Sequence, residues 1–204
     1  MFEDTNTEID IFEDDFDLLV AEGQVRDIAD ELEELHYRRG SHFIWQLKVI
    51  TSHPSFYPIK GEDNIYTTGG ESGEDYENLL NAARKAVEHG YRVFILPNPK
   101  GIRTADFIFE RKGVYKMFDL KTIIGKSSVG NRLLESIGQS NRVLLNMPTG
   151  YNTRLLAADI KTYFELNEDA LEVMILKGRK LLSIDRNDVL HPSYYRIIKK
   201  RFEK

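Results

Sequence analysis

Two apolar, alternating runs, Thr104 to Glu110 (TADFIFE) and Val114 to Thr122 (VYKMFDLKT), stand on either side of Lys112-Gly113. No other feature restricts the fold of this chain as much. A two-residue connection with glycine matches the turns that join antiparallel strands, so the runs read as one hairpin. With the turn centred there, Glu110 faces Tyr115, Ile108 faces Met117 and Asp106 faces Asp119. Two carboxylates then oppose each other at about 5 Å between Cβ atoms. Strand alternation puts Lys121 on the same face as Asp119.

Like charges directly opposed on a sheet are unfavourable unless something compensates them. A divalent cation is the natural compensator, because it takes oxygen ligands and favours carboxylates. A lysine beside the acids can orient a water and stabilise negative charge developing at a phosphate. The three residues therefore suit metal-assisted phosphodiester hydrolysis. The bland alternative is a surface pair near a strand end that Lys121 neutralises; the apolar neighbours Phe107, Phe118 and Leu120 favour the functional reading.

Helical periodicity and stop signals place a helix over Glu74 to His89, ended by Gly90, and a short strand over Arg92 to Leu96. A helix over Val129 to Asn141 and a buried-type strand over Arg142 to Met147 follow the hairpin. The order from 74 to 147 is thus α-β-β-β-α-β. Beyond it the pattern predicts a helix over Thr153 to Leu166, strands over Leu171 to Leu176 and Lys180 to Ile184, and a basic helix over Ser193 to Phe202. Upstream, His42 to Ile50 (HFIWQLKVI) reads as a strand, and the glycine-bearing stretch Thr51 to Gly73 reads as a loop and domain boundary. Helices are expected around 14 to 21 and 24 to 38. The expected fold class is α/β (α+β): an acidic helical arm plus strand over 1–60, a mixed-sheet core over 74–147, and an α-β-β-α extension over 148–204 packed on that core.

Asp106, followed after the hairpin by Asp119-Leu120-Lys121, resembles the PD-(D/E)XK nuclease motif, and the element order resembles that superfamily's core. Ala105 stands where the motif usually has proline. The resemblance implies a further acid from the first helix, with Glu77 as the candidate and Glu74 as its substitute, and a glutamine after the lysine, for which Gln139 stands in place. It implies Mg2+ or Mn2+ held by Asp106, Asp119 and Glu77. Residues 74 to 147 also resemble C-terminal nuclease domains of contact-dependent growth inhibition and other bacterial polymorphic toxins, and phage-associated relatives. That likeness implies RNA, tRNA or DNA as substrate, an immunity protein as partner, and a cytoplasmic site of action reached as part of a larger toxin or phage protein.

Charge separates the chain into two parts. Residues 1 to 35 hold fourteen acids against one base, a net of -13, which leaves 19 acids and 27 bases, a net of +8, for the remainder. The body attracts a polyanion and the leader repels one. Phosphate contacts are expected from Lys116, Lys126, Arg132 and Arg142, beside Arg111 and Lys112. A second basic group comprises Lys177, Arg179, Lys180, Arg196, Lys199, Lys200 and Arg201. Tyr194 and Tyr195 are candidates for base stacking.

With no cysteine, a disulfide framework, a thiolate zinc site and a cysteine nucleophile are excluded. No apolar stretch approaches the roughly 18 residues of a membrane-spanning helix, and the acidic start lacks the order of a secretory signal. Gly125-Lys126-Ser127 imitates the tail of a phosphate loop, but Leu120 occupies the first glycine position. The five histidines, His36, His42, His53, His89 and His191, have no short metal-ligand spacing. One could serve as general base, so a metal-independent ribonuclease toxin of the barnase, EndoU, colicin or RelE type stays open. So does a non-catalytic nucleic-acid-binding module.

Overall fold

The computed structural model describes residues 26–70, 73–98, 104–125, 129–147 and 150–203. The chain divides into two compact units, Met1–Tyr57 and Pro58–Lys204. Expectations for the helix at 14 to 21 and for Lys126 lie outside the described residues. The described residues form a mixed α/β fold with seven helices and an eight-stranded mixed sheet.

The first unit corrects one expectation. His42 to Ile50 is helical: α2 spans Ser41–Thr51 and follows α1, Ile28–Glu34. The β-branched and aromatic composition pointed to a strand, but the buried positions are Gln46, Leu47, Val49 and Ile50. Burial at 46, 47 and 50 is a helical stripe and breaks the two-residue alternation of a half-buried strand. Gln46 makes the face intelligible, since its Nε2 donates to the Glu31 carbonyl at 2.9 Å and to Glu31 Oε2 at 2.6 Å. A buried amide with both hydrogens satisfied ties α2 to α1.

The sheet order is β1 (Tyr57–Pro58), β2 (Ile65–Thr67), β3 (Arg92–Ile95), β4 (Phe107–Arg111), β5 (Val114–Thr122), β6 (Arg142–Met147), β7 (Glu172–Lys177) and β8 (Lys180–Asp185). The stretch read as a plain loop therefore contributes β2, which pairs in parallel with β3. The β3–β4, β4–β5 and β7–β8 pairs are antiparallel, while β5–β6 and β6–β7 are parallel. The last two strands thus continue the same sheet. Along the chain, α3 (Glu74–Glu88) lies between β2 and β3, α4 (Val129–Glu135) between β5 and β6, and α5 (Thr153–Leu166) between β6 and β7, while α6 (Arg186–Leu190) and α7 (Tyr194–Glu203) follow β8.

Local chemistry accounts for the ends of these elements. Lys112 and Gly113 have φ of 54° and 78°, the positive pair that a twisted two-residue hairpin demands. Glu74, Asp75 and Glu77 occupy the first turn of α3, where carboxylates complement the helix dipole. Helix α4 ends at Glu135, six residues short of the expected end at Asn141. Ser136 Oγ donates back to the Leu133 carbonyl at 2.6 Å, and Gly138 turns the chain with φ 84°. Gln139 consequently sits on a turn and not on a helix. Helix α6 went unread in the sequence; Asp185 and Asp188 form a reciprocal capping box around its first turn.

The sheet has two apolar faces. Phe107, Phe109, Phe118, Leu144, Met174 and Leu176 pack with Leu80, Ala82, Ala83 and Ala86 of α3. On the other side, Val143, Leu145, Val173 and Ile175 pack with Val129 and Leu133 of α4, with α5 and with α7. An alternation of one residue along β5 decides which face a side chain serves.

Candidate active site

The hairpin register is the one the sequence implies: Phe107 pairs with Phe118, Ile108 with Met117 and Glu110 with Tyr115. Asp106 lies just ahead of β4, one residue beyond the last ladder pair. Its N–H donates to the Phe118 carbonyl at 3.0 Å, and its carbonyl accepts from Leu96 at 2.9 Å. Its Oδ2 accepts the Leu120 N–H at 2.6 Å. Asp106 is therefore fixed on both sides by backbone, which aims its carboxyl at β5.

On β5, Asp119 and Lys121 pair with Val143 and Leu145 of β6, so both point to the face covered by α4 and α5. Asp119 is 3% exposed. The two aspartyl carboxyls lie close enough for each to act on the other's proton affinity. Burial raises Asp106 above the ordinary carboxyl range; the Leu120 N–H and Lys121 oppose that rise. Burial also pushes Asp119 up, to about 7, with the Asp106 charge reinforcing it and Lys121 opposing. Two carboxyls in a poorly solvated site cannot both ionise easily.

Lys121 Nζ lies 2.8 Å from Asp119 Oδ2 and donates to Gln139 Oε1 at 3.2 Å. The ammonium neutralises Asp119 Oδ2 as an ion pair, and no other donor among the described residues reaches that buried oxygen. Near Asp119 stands Tyr163, 1% exposed, whose hydroxyl accepts from Asn167 Nδ2 at 3.3 Å. Burial raises that hydroxyl above its ordinary range, and the Asp119 charge adds to the effect.

Asp106, Asp119, Lys121 and Gln139 are thus brought together. Glu77 is not: it lies exposed on α3, which covers the opposite face, and its field acts on Arg84, the partner of Glu62. Glu74 is likewise exposed on α3. Among the described residues no group of three acids or histidines could hold a metal ion. Two carboxylates still fit Mg2+ or Mn2+, because magnesium commonly takes one or two protein carboxylates and fills its octahedron with water and substrate phosphate. Asp119 Oδ2, paired with the Lys121 ammonium, is the acceptor such an ion would use.

The expected phosphate contacts divide. Arg132 is exposed and pairs with Glu135 at 2.9 Å. Lys116 and Arg142 instead surround the buried Glu172, at 2.8 and 3.4 Å. Tyr194 is buried and donates its hydroxyl to the Ala157 carbonyl at 2.9 Å, a packing role. Tyr195 is partly exposed under Arg154, 5.7 Å from ring centre to guanidinium carbon. His53, 5% exposed, has both ring nitrogens engaged: Nδ1 accepts from Ser55 N at 3.1 Å and Nε2 faces the Arg26 carbonyl at 2.9 Å. That leaves it no lone pair for general-base work.

No family model matches the chain, and no curated protein matches it. Among solved structures it is similar to a CdiA-CT/CdiI toxin and immunity complex from Burkholderia pseudomallei, at 18% identity and a TM-score of 0.40. The similarity covers 57% of this chain and 92% of that one. So distant a likeness assigns no activity. No helix among the described residues is long and apolar enough to cross a membrane.

The raised Asp119 sets a direction for stability. Between the ordinary aspartyl value near 4 and about 7, the folded chain keeps a proton that the unfolded chain has released. The group's contribution therefore falls as pH rises through that window and is level above it. Thermal melts at pH 5 and pH 8 should show the wild type losing stability relative to Asp119→Asn as pH rises. Parallel behaviour of the two proteins would show that Asp119 ionises as an ordinary carboxyl.

Proposed function

We propose that this protein is a metal-dependent endonuclease that hydrolyses phosphodiester bonds of nucleic acid. The observation that carries the proposal is the convergence of two buried carboxyls, Asp106 and Asp119, with the Lys121 ammonium 2.8 Å from Asp119 Oδ2. Asp106 and Asp119 would hold Mg2+ or Mn2+. When bound, the cation would lower the pKa of a coordinated water and neutralise charge at the phosphate.

The chain's own residues have distinct roles. Asp106, pinned by the Leu120 N–H, offers its other oxygen in a fixed direction. Burial raises the proton affinity of both carboxyls, so cation binding must displace any proton they hold. Lys121 has three ammonium hydrogens. Asp119 and Gln139 lie on two of its sides, and a third hydrogen is available to position the attacking water. As the P–O bond to the leaving oxygen breaks, the lysine's charge offsets the negative charge that accumulates on the phosphoryl oxygens. RNA, tRNA or DNA as the substrate, delivery within a larger toxin or phage protein, and an immunity partner rest on the sequence resemblance alone.

Incubation of the protein with tRNA and with supercoiled plasmid, in Mg2+, Mn2+ or excess chelator, tests this reading. Cleavage of at least one substrate is expected, with loss in chelator and restoration by added metal. Chelator-resistant cleavage would transfer the assignment to a metal-independent ribonuclease. No cleavage under any condition would leave a nucleic-acid-binding module at most.

A further inference from the structure

Lys85 of α3 is half-buried, and its Nζ donates to Asn146 Oδ1 at 2.6 Å. Asn146 is 8% exposed, and its Nδ2 reaches Asn81 Oδ1 at 3.4 Å. The asparagine pair fixes the amide so that its oxygen faces the lysine. An ammonium has three donors, and this contact uses one of them.

Other partly buried lysines of this unit have stronger or additional partners: Lys116 pairs with Glu172, Lys121 with Asp119, and Lys177 donates to the Phe202 carbonyl while lying over that residue's ring. Lys85 forms no ion pair among the described residues; Glu88, exposed one turn on, contributes only a longer-range field. Burial accordingly lowers the Lys85 ammonium from its ordinary range. A half-buried ammonium that meets only a neutral amide leaves its charge open to a bound anion.

The position of the lysine says which anion. Asn146 pairs with Thr122, the residue after Lys121, near the carboxyl ends of the parallel strands β5 and β6. Asp119 and Lys121 use one face of the sheet there, and Lys85 with Asn146 uses the other. Ligands of open sheets with parallel strands bind outside the carboxyl ends of those strands, and a polymer crossing that edge can touch both faces.

We infer that Lys85, oriented by Asn146 and Asn81, binds a backbone phosphate of the nucleic acid on the face opposite the aspartate pair. The inference rests on the nuclease reading, and it makes Lys85 a substrate-binding group with no part in the bond-breaking step.

The probes are a fluorescein-labelled single-stranded RNA of about 20 nucleotides and a duplex DNA of similar length. Both are titrated by anisotropy in chelator across a salt series. Lys85→Met should bind the preferred probe about tenfold more weakly at low salt, and its log-log salt slope should be shallower by roughly 0.7 to 0.9, the share of one phosphate. Lys85→Arg should keep most of the affinity, Asn146→Ala should lose part of it, and Lys85→Met should melt no lower than wild type. A wild type that binds while Lys85→Met keeps the same affinity and slope overturns this inference and leaves the nuclease reading standing. Equal losses in Lys85→Met and Lys85→Arg, with a lower melting temperature in both, would show a packing role and also overturn it. A wild type that neither binds nor cuts either probe removes both readings.

Discussion

Asp119→Asn and Lys121→Met should each lower phosphodiester cleavage by roughly 10²- to 10³-fold, the usual cost of one group that acts on charge in the transition state. Both variants should remain folded, and Asp119→Asn should melt higher than the wild type. The two effects have one origin. Asp119 is buried beside a second acid, which with burial raises it to about 7, so its charged form costs stability that the reaction uses. An asparagine removes the repulsion and with it the ligand. Stabilisation of roughly 1–3 kcal/mol is the expected scale for relieving such a pair. Rates measured on the substrate found with Mg2+ or Mn2+, together with melts near pH 8, check both halves. Undiminished cleavage by Asp119→Asn would remove the carboxylate from the mechanism. Lower stability in that variant would mean that Lys121 already compensates the charge, making the pair an ordinary buried salt bridge.

What could be read from the sequence followed the range over which each decision is made. The β4–β5 hairpin was legible because its register is set by two adjacent residues with positive φ, Lys112 and Gly113. Asp106, Asp119 and Lys121 inherit their meeting from that turn, so the centre of the candidate site could be placed before any tertiary structure was known. Helix α2 was not legible as a helix, because HFIWQLKVI is rich in residues that suit strands. Its state is decided by Gln46 burying its amide against Glu31, 15 residues away. Tyr163 beside Asp119, and the Lys85–Asn146 contact across 61 residues, are products of crossovers that no local pattern announces. Glu77 shows the converse. It has the right type and sits in the right helix, but α3 packs on the other face of the sheet.

The same distinction separates two uses of a basic residue, and Glu172 decides between them for Lys116 and Arg142. Sequence position beside the hairpin suggested phosphate contacts. In the fold, Glu172 on β7 is 5% exposed and gathers Lys116 from β5, Arg142 from β6 and the Ser183 hydroxyl from β8, the last at 2.6 Å. One carboxylate thereby links four consecutive strands. Arg142 is itself largely withdrawn from water, and burial lowers its guanidinium from the ordinary range while Glu172 opposes that shift. Removing one member of a buried ion cluster leaves its partners charged and unpaired, which costs about 3–5 kcal/mol. Glu172→Ala should therefore be among the most destabilising single changes in this unit. Glu172→Gln should cost less, because it retains an acceptor for Ser183. Arg142→Ala should also lower stability, while leaving the salt slope of nucleic-acid binding at its wild-type value. Urea unfolding of the three variants, with anisotropy titrations of Arg142→Ala, measures this. A loss below about 1 kcal/mol in Glu172→Ala would place the cluster among surface ion pairs of little worth. A shallower salt slope in Arg142→Ala, with stability intact, would return that arginine to the phosphate-binding surface.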